Sequence, residues 1–135
     1  MKNFRLNMDR VGSLFFIKVY FYQLTTQKYE EYWIGVDTGA ATTTLSKDLL
    51  YDLGYNVSEY PLTGITTATE RDYANVIYLK RLKLGDFELT NIKVNAIDFA
   101  SPYISGVLGL DLLTKFDVNF LFSQNLIEFT PRTDI

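Results

Sequence analysis

Residues Leu14–Leu24 read LFFIKVYFYQL, and this run limits the fold more than any other stretch of the chain. In an extended backbone Ile17, Val19 and Phe21 share one side, and Phe16, Lys18, Tyr20 and Tyr22 share the other. Aromatic and β-branched side chains of this kind suit a pleated, half-buried surface. Aromatic residues make up 16% of the chain, mostly Tyr and Phe, so the preference extends well beyond one segment. A mostly β domain is expected.

The rest of the chain is read in the same way. TTQKYE is a polar turn, and Tyr29–Val36 returns as a second strand that ends at Asp37. LSKDLLYDLGY has the signals of a short helix: Ser46 as N-cap, Asp48 in the first turn, and Gly54 where a left-handed residue closes the end. The region 56–75, with Pro61, Gly64 and TTATERD, carries the weakest periodicity. Strands are expected over Ile77–Leu84 and Phe87–Ile97, joined by a tight Gly85-Asp86 turn. Ser101–Ser105 reads as a loop, GVLGLDLLTKF as a strand leading through Gly109 into a second short helix, and Val118–Phe122 with Leu126–Phe129 as a last hairpin. A strand, a Gly-containing turn and a Leu-rich helix thus occur twice, at Gly35–Leu53 and Gly106–Phe116. The chain's 135 residues fit one domain, 1–135, with its core over about 14–129. The end segments Met1–Arg10 and Thr130–Ile135 carry no deciding motif and either pair across a dimer or stay disordered.

The chain has no Cys and no His. Thiolate chemistry, Ser-His and Cys-His pairs and the usual zinc ligands are therefore excluded, and acid–base work falls to Asp, Glu, Tyr or Lys. The net charge is −3, and Lys and Arg cluster on no segment, so no nucleic-acid partner is expected. Lys18 interrupts the first apolar run, no small-residue cleavage site follows it, and no segment is long enough to span a bilayer. A soluble, cytoplasmic protein with no membrane partner is the expectation. Against this background GVDTGAATTTLS, Gly35–Ser46, stands out, because it sets a carboxylate at the end of an apolar strand among small residues.

Gly35-Val36-Asp37-Thr38-Gly39-Ala40, continued by Thr44-Leu45, and the later Val107-Leu108-Gly109 before Leu110-Asp111-Leu112-Leu113, resemble the retropepsin-like aspartic proteases, in particular bacterial single-domain members. The resemblance covers roughly Leu14–Phe129. It implies a mostly β acid-protease barrel with one or two short helices and one lobe per chain. It implies an endopeptidase with no cofactor and no metal, working on a polypeptide substrate whose side chains next to the cut are apolar. Two carboxylates about 3 Å apart share one proton, so one activates a water and the other polarises the scissile carbonyl. The chain offers one suitable acid, so the second must be Asp37 of another copy and a homodimer is required.

The resemblance also assigns roles. Asp37, Thr38 and Gly39 form the catalytic triplet, with Thr38 tying two subunits together and Gly39 letting a backbone N–H reach the carboxylate. Ala40, Gly64, Ile65, Thr66 and Leu108 are the candidate substrate-binding residues, the middle three on a flap within 61–75. Ala40 stands where pepsin-type relatives often carry a Ser that bonds the carboxylate, so activity is expected at mildly acidic to near-neutral pH. Retroviral relatives place acids just after Gly-Ala and pair one with an Arg after the second Gly motif. Ala41, Thr42 and Leu110 occupy those places here, so that brace is expected to be missing, and Asp111 is read as a helix-start acid.

Two other readings of the same residues stay open. The fold could serve as a non-catalytic dimerisation or peptide-binding module. GVDTGAATTT also resembles the first phosphate loop of actin-like kinases, although Ala40 and Ala41 replace the expected residues and 135 positions leave little room for two nucleotide-clasping lobes.

Overall fold

The alternation in the Leu14 run is realised in three dimensions: Ile17, Val19 and Phe21 are at most 1% exposed, while Lys18 between them lies in water. A computed structural model of the chain describes residues 2–66 and 71–134. Along the described chain the strands are β1 Phe4–Val11, β2 Leu14–Gln23, β3 Lys28–Val36 and β4 Thr44–Ser46, followed by helix α1 Lys47–Asp52. Then come β5 Leu62–Thr66, β6 Arg71–Leu84, β7 Phe87–Ile97 and β8 Gly106–Leu108, helix α2 Leu110–Leu113, and β9 Phe116–Leu121 with β10 Leu126–Pro131.

Strands β6, β7, β4, β8, β3 and β2 are neighbours in that order, and β2 meets β6 again through Tyr20↔Lys83 and Phe21↔Leu82. Six strands therefore close into a ring, which removes most exposed edges. β5 extends the ring from β6, and β1, β10 and β9 extend it from β2. Most contacts are antiparallel, but β3 runs parallel to β8 (Gly35↔Val107, Val36↔Leu108) and β4 parallel to β7 (Thr44↔Asn95). The two similar segments Gly35–Leu53 and Gly106–Phe116 thus begin on adjacent parallel strands. Leu45, Ile77, Val94 and Leu108 fill the interior at 0% exposure, and α1 closes it with Leu49, Leu50 and Leu53. Ser46 caps α1 by accepting the Leu49 N–H at 3.0 Å.

Three expectations change. The N-terminal segment, expected to pair across a dimer or stay disordered, pairs within its own chain: β1 pairs with β10 (Phe4↔Phe129) and with β2 (Met8↔Ile17). Phe4, Leu6 and Met8 alternate with polar neighbours, and the Phe4 ring stacks on Phe129 at 5.3 Å. At the other end β10 continues to Pro131, opposite Phe116. The weakly periodic 56–75 region is largely regular: β5 and the start of β6 form an antiparallel hairpin, Gly64↔Tyr73, and residues 67–70 lie outside the described residues.

The β6–β7 ladder skips one step. It runs Leu79↔Ile92 and resumes at Arg81↔Thr90. Asn91 sits at φ +53°, a left-handed conformation that Asn tolerates better than most residues. The freed Lys80 N–H donates instead to the Tyr55 hydroxyl at 2.8 Å, and Tyr55 is 5% exposed. Tyr55→Phe keeps the ring and strands that N–H, so a loss of about 1–3 kcal/mol is expected in urea unfolding.

Alkaline pH tests the same core. Burial raises the phenol of Tyr55, and burial first, with the nearby charges of Glu30 and Asp52, pushes that of Tyr32 up from 10.0 to about 12. The unfolded chain then loses these protons at a lower pH than the folded one. Stability is full below pH 10.0 and falls as the pH climbs toward about 12. Urea midpoints between pH 8 and 12 are expected to be flat at first and to decline beyond ~10.

Candidate functional site

β3 delivers Asp37 to the middle of the molecule. The Asp37 N–H donates to the Leu108 carbonyl at 3.0 Å, so the residue after β3 is pinned to β8. The chain then turns sharply. The Gly39 N–H donates to Asp37 Oδ1 at 2.9 Å, and the Ala40 N–H donates to the Asp37 carbonyl at 3.2 Å. Small residues allow that turn, since a Cβ on Gly39 would stand 3.2 Å from Asp37 Oδ1. The carboxylate is half-buried, and one of its oxygens is held by the backbone.

The loop that follows is bound to the start of α2. Leu110 N–H donates to the Ala40 carbonyl at 2.8 Å and Asp111 N–H to that of Ala41 at 3.1 Å, which satisfies two donors that a helix start leaves free. Thr43, 1% exposed, donates its hydroxyl to Asp111 Oδ1 at 2.8 Å and its N–H to the same oxygen at 2.9 Å. The Thr43 hydroxyl oxygen accepts the Gly109 N–H at 3.0 Å. Gly109 must lack a side chain, because a Cβ would lie 2.6 Å from the Thr42 carbonyl carbon. A brace between the two Gly-containing segments is thus present, built from a threonine and Asp111 rather than from an acid and an arginine. Asp111 does stand at the helix start, accepting the Leu112 N–H at 2.8 Å, but its larger role is to hold Thr43.

An open groove of about 660 Å³ runs past the carboxylate. Asp37, Gly39 and Ala40 line one part of it, Thr63, Gly64 and Ile65 of β5 another, and Lys93 and Asn95 of β7 a third. Five of the residues singled out in the sequence, Asp37, Gly39, Ala40, Gly64 and Ile65, therefore meet in one cleft. Thr38 is exposed and lies beside the groove rather than in its lining. Thr66 ends β5 opposite Arg71, and its side chain is outside the described residues. Leu108 does not face the groove: its side chain is 0% exposed, and its contribution is the carbonyl that holds Asp37. Side chains alternate along β8, so the neighbouring Val107 lines the groove instead.

Thr43, Asp111, Lys93 and Asn95 escaped the sequence reading as site residues. The TTT run offers no cue to which hydroxyl turns inward. Lys93 and Asn95 sit in a strand whose alternation could place them on a groove face or a solvent face alike.

A family model described as aspartyl protease matches residues 24–112. The chain belongs to the aspartyl protease family. Its fold is also that of two solved structures. One is a retropepsin-like aspartic protease from Rickettsia conorii, with a TM-score of 0.68 and 23% identity over 95% of this chain and 89% of that one. The other is the retroviral protease-like domain of Ddi1 from Leishmania major, with a TM-score of 0.56 and 19% identity over 93% of this chain and 100% of that one. Identities this low speak to the fold alone. No curated protein matches the sequence significantly. Membership in the aspartyl protease family decides against the kinase phosphate-loop reading. Among the described residues of this family member no helix is long and apolar enough to cross a membrane.

Proposed function

We propose that this aspartyl protease family member is an aspartic endopeptidase that works as a homodimer, with Asp37 from each of two copies forming the acid pair. The observation that carries the reading is the half-buried Asp37 carboxylate, fixed by the Gly39 N–H at 2.9 Å and opening onto a groove walled by the β5–β6 hairpin. One carboxylate cannot both activate water and protonate the scissile group. Two within about 3 Å can, because one of them stays protonated. Asp37 is the carboxylate among the described groove-lining residues, so a second copy is the source of the other.

In this mechanism the ionised Asp37 takes a proton from the attacking water. The protonated Asp37 of the other copy donates to the carbonyl oxygen as the tetrahedral intermediate forms, and the pair then returns a proton to the departing amine. In this reading Thr38, exposed beside the groove, meets its counterpart across the two-fold axis. The β5–β6 hairpin, with Gly64 and Ile65 facing the groove, acts as the lid over an extended polypeptide.

Sedimentation velocity over a range of concentrations, combined with a peptide-library digest between about pH 2 and 8, tests the reading. The expected result is a dimer that cleaves at mildly acidic to near-neutral pH. A chain that stays monomeric throughout, or a rate that peaks below about pH 3, contradicts it.

A further inference from the structure

Residues 93, 95 and 97 of β7 point into the groove, while Val94 and Ala96 between them are 0% exposed in the core. Asn95 is unusual in this row. It is 8% exposed, and its carboxamide makes no hydrogen bond among the described residues. Among the described residues the one fully buried side-chain polar atom without a partner is the Tyr29 hydroxyl, so the Asn95 amide still reaches the groove and is open to a guest there. Its backbone is already used, since the Asn95 N–H donates to the Thr43 carbonyl at 3.0 Å. Only the side chain is therefore available to a guest in the groove.

Two residues along the same strand face is Lys93, the cation among the described groove-lining residues, and it makes no ion pair with a described residue. The amide NH2 and the ammonium are both donors. The neighbours of Asn95 on adjacent strands are Val76 and Thr44, and the Thr44 hydroxyl is already donated to the Thr42 carbonyl. A wall of Val76 and Thr44 with two donors that no described residue uses, one of them charged, fits a carboxylate on a short aliphatic stem. From Gly35 across β8 and β4 to Asn95 there are three inter-strand steps, or about 14 Å at the usual strand spacing of ~4.8 Å.

We propose that Asn95 and Lys93 form a specificity subsite for an acidic substrate side chain, glutamate or aspartate, roughly four residues from the bond cleaved. An extended peptide advances ~3.3 Å per residue, which sets that spacing. The inference rests on the peptidase reading above and deepens it. The apolar preference expected next to the cut is unaffected, because it concerns positions closer to Asp37.

The test is a digest of a proteome-derived peptide library by the wild-type protein, Lys93→Glu, Asn95→Asp and Asp37→Asn. The expected wild-type cleavage set is enriched in Glu and Asp at one fixed position roughly four residues from the cut. Lys93→Glu, a surface change that preserves the fold, is expected to lower kcat/KM for Glu-containing peptides about tenfold and to shift that position toward Lys and Arg. Asn95→Asp is nearly isosteric and is expected to weaken the same position alone. A wild-type set without acidic enrichment, or enrichment left unchanged in Lys93→Glu, overturns the subsite. If wild type and Asp37→Asn alike cleave nothing, the peptidase reading has failed on its own. The subsite is then read by fluorescence anisotropy with paired peptides that differ only by Glu or Leu, and equal affinity for the two overturns it.

Discussion

Asp37→Asn is expected to lower peptide cleavage about 10⁴-fold or more while leaving the fold and the dimer intact. The size follows from symmetry. In the proposed dimer a single substitution removes both members of the pair, and with them the base that would activate water and the acid that would protonate the carbonyl oxygen. Asparagine keeps an oxygen that can accept the Gly39 N–H, so the turn after β3 should hold and the melting temperature should change little. Mixing supplies a sharper check. When wild-type and substituted chains are refolded together in equal amounts, only roughly a quarter of the pairs carry two aspartates. Activity per wild-type chain is then expected to fall to about half. Activity strictly proportional to the wild-type chain present would mean that each chain works alone.

Asp111→Ala is expected to cost about 2–3 kcal/mol and to loosen the loop that carries Asp37. One carboxylate oxygen accepts three donors: the Thr43 N–H at 2.9 Å, the Thr43 hydroxyl at 2.8 Å and the Leu112 N–H at 2.8 Å. Thr43 is 1% exposed but Asp111 is exposed, so water entering the vacated place recovers part of these bonds. Each buried donor left without a partner costs about 1–3 kcal/mol, and bonds to a charged acceptor lie at the upper end. Asp111→Asn keeps an acceptor oxygen in place and should cost about half as much. Urea unfolding of the two variants separates loss of the acceptor from loss of charge. The alanine variant should also lose activity at temperatures well below its unfolding midpoint, because Ala40 and Ala41 are tied to the same helix start. Equal stability for the alanine variant and the parent would remove Asp111 from any bracing role.

Much of the architecture could be read from the chain. The period-two pattern of Leu14–Leu24, the Gly85-Asp86 turn and the Ser46 cap are local signals, and each depends on residues within a few positions of one another. The Gly-Val-Asp-Thr-Gly-Ala stretch was legible for the same reason, since a carboxylate after an apolar strand, followed at once by glycine, is a local arrangement. β1 went unread: Phe4, Leu6 and Met8 do alternate with polar neighbours, but the segment is short, its partner strand begins more than a hundred residues later and nothing local points to it. Leu108 was misplaced by one step of the pleat. The apolar pair Val107-Leu108 does not announce which side chain turns to the groove, and parallel pairing with Gly35 and Val36 decides it.

The sequence by itself determined that the protein is built from strands, that it carries a carboxylate at the end of one of them, and that histidine and cysteine chemistry is closed to it. These follow from residue type and short-range spacing. Only the tertiary structure decided that Thr43 and Asp111 hold the loop after Asp37 and that Lys93 and Asn95 share a groove with Asp37. Those neighbours come together because β8 and β4 insert between β3 and β7, and strand pairing brings distant segments side by side regardless of their order in the chain.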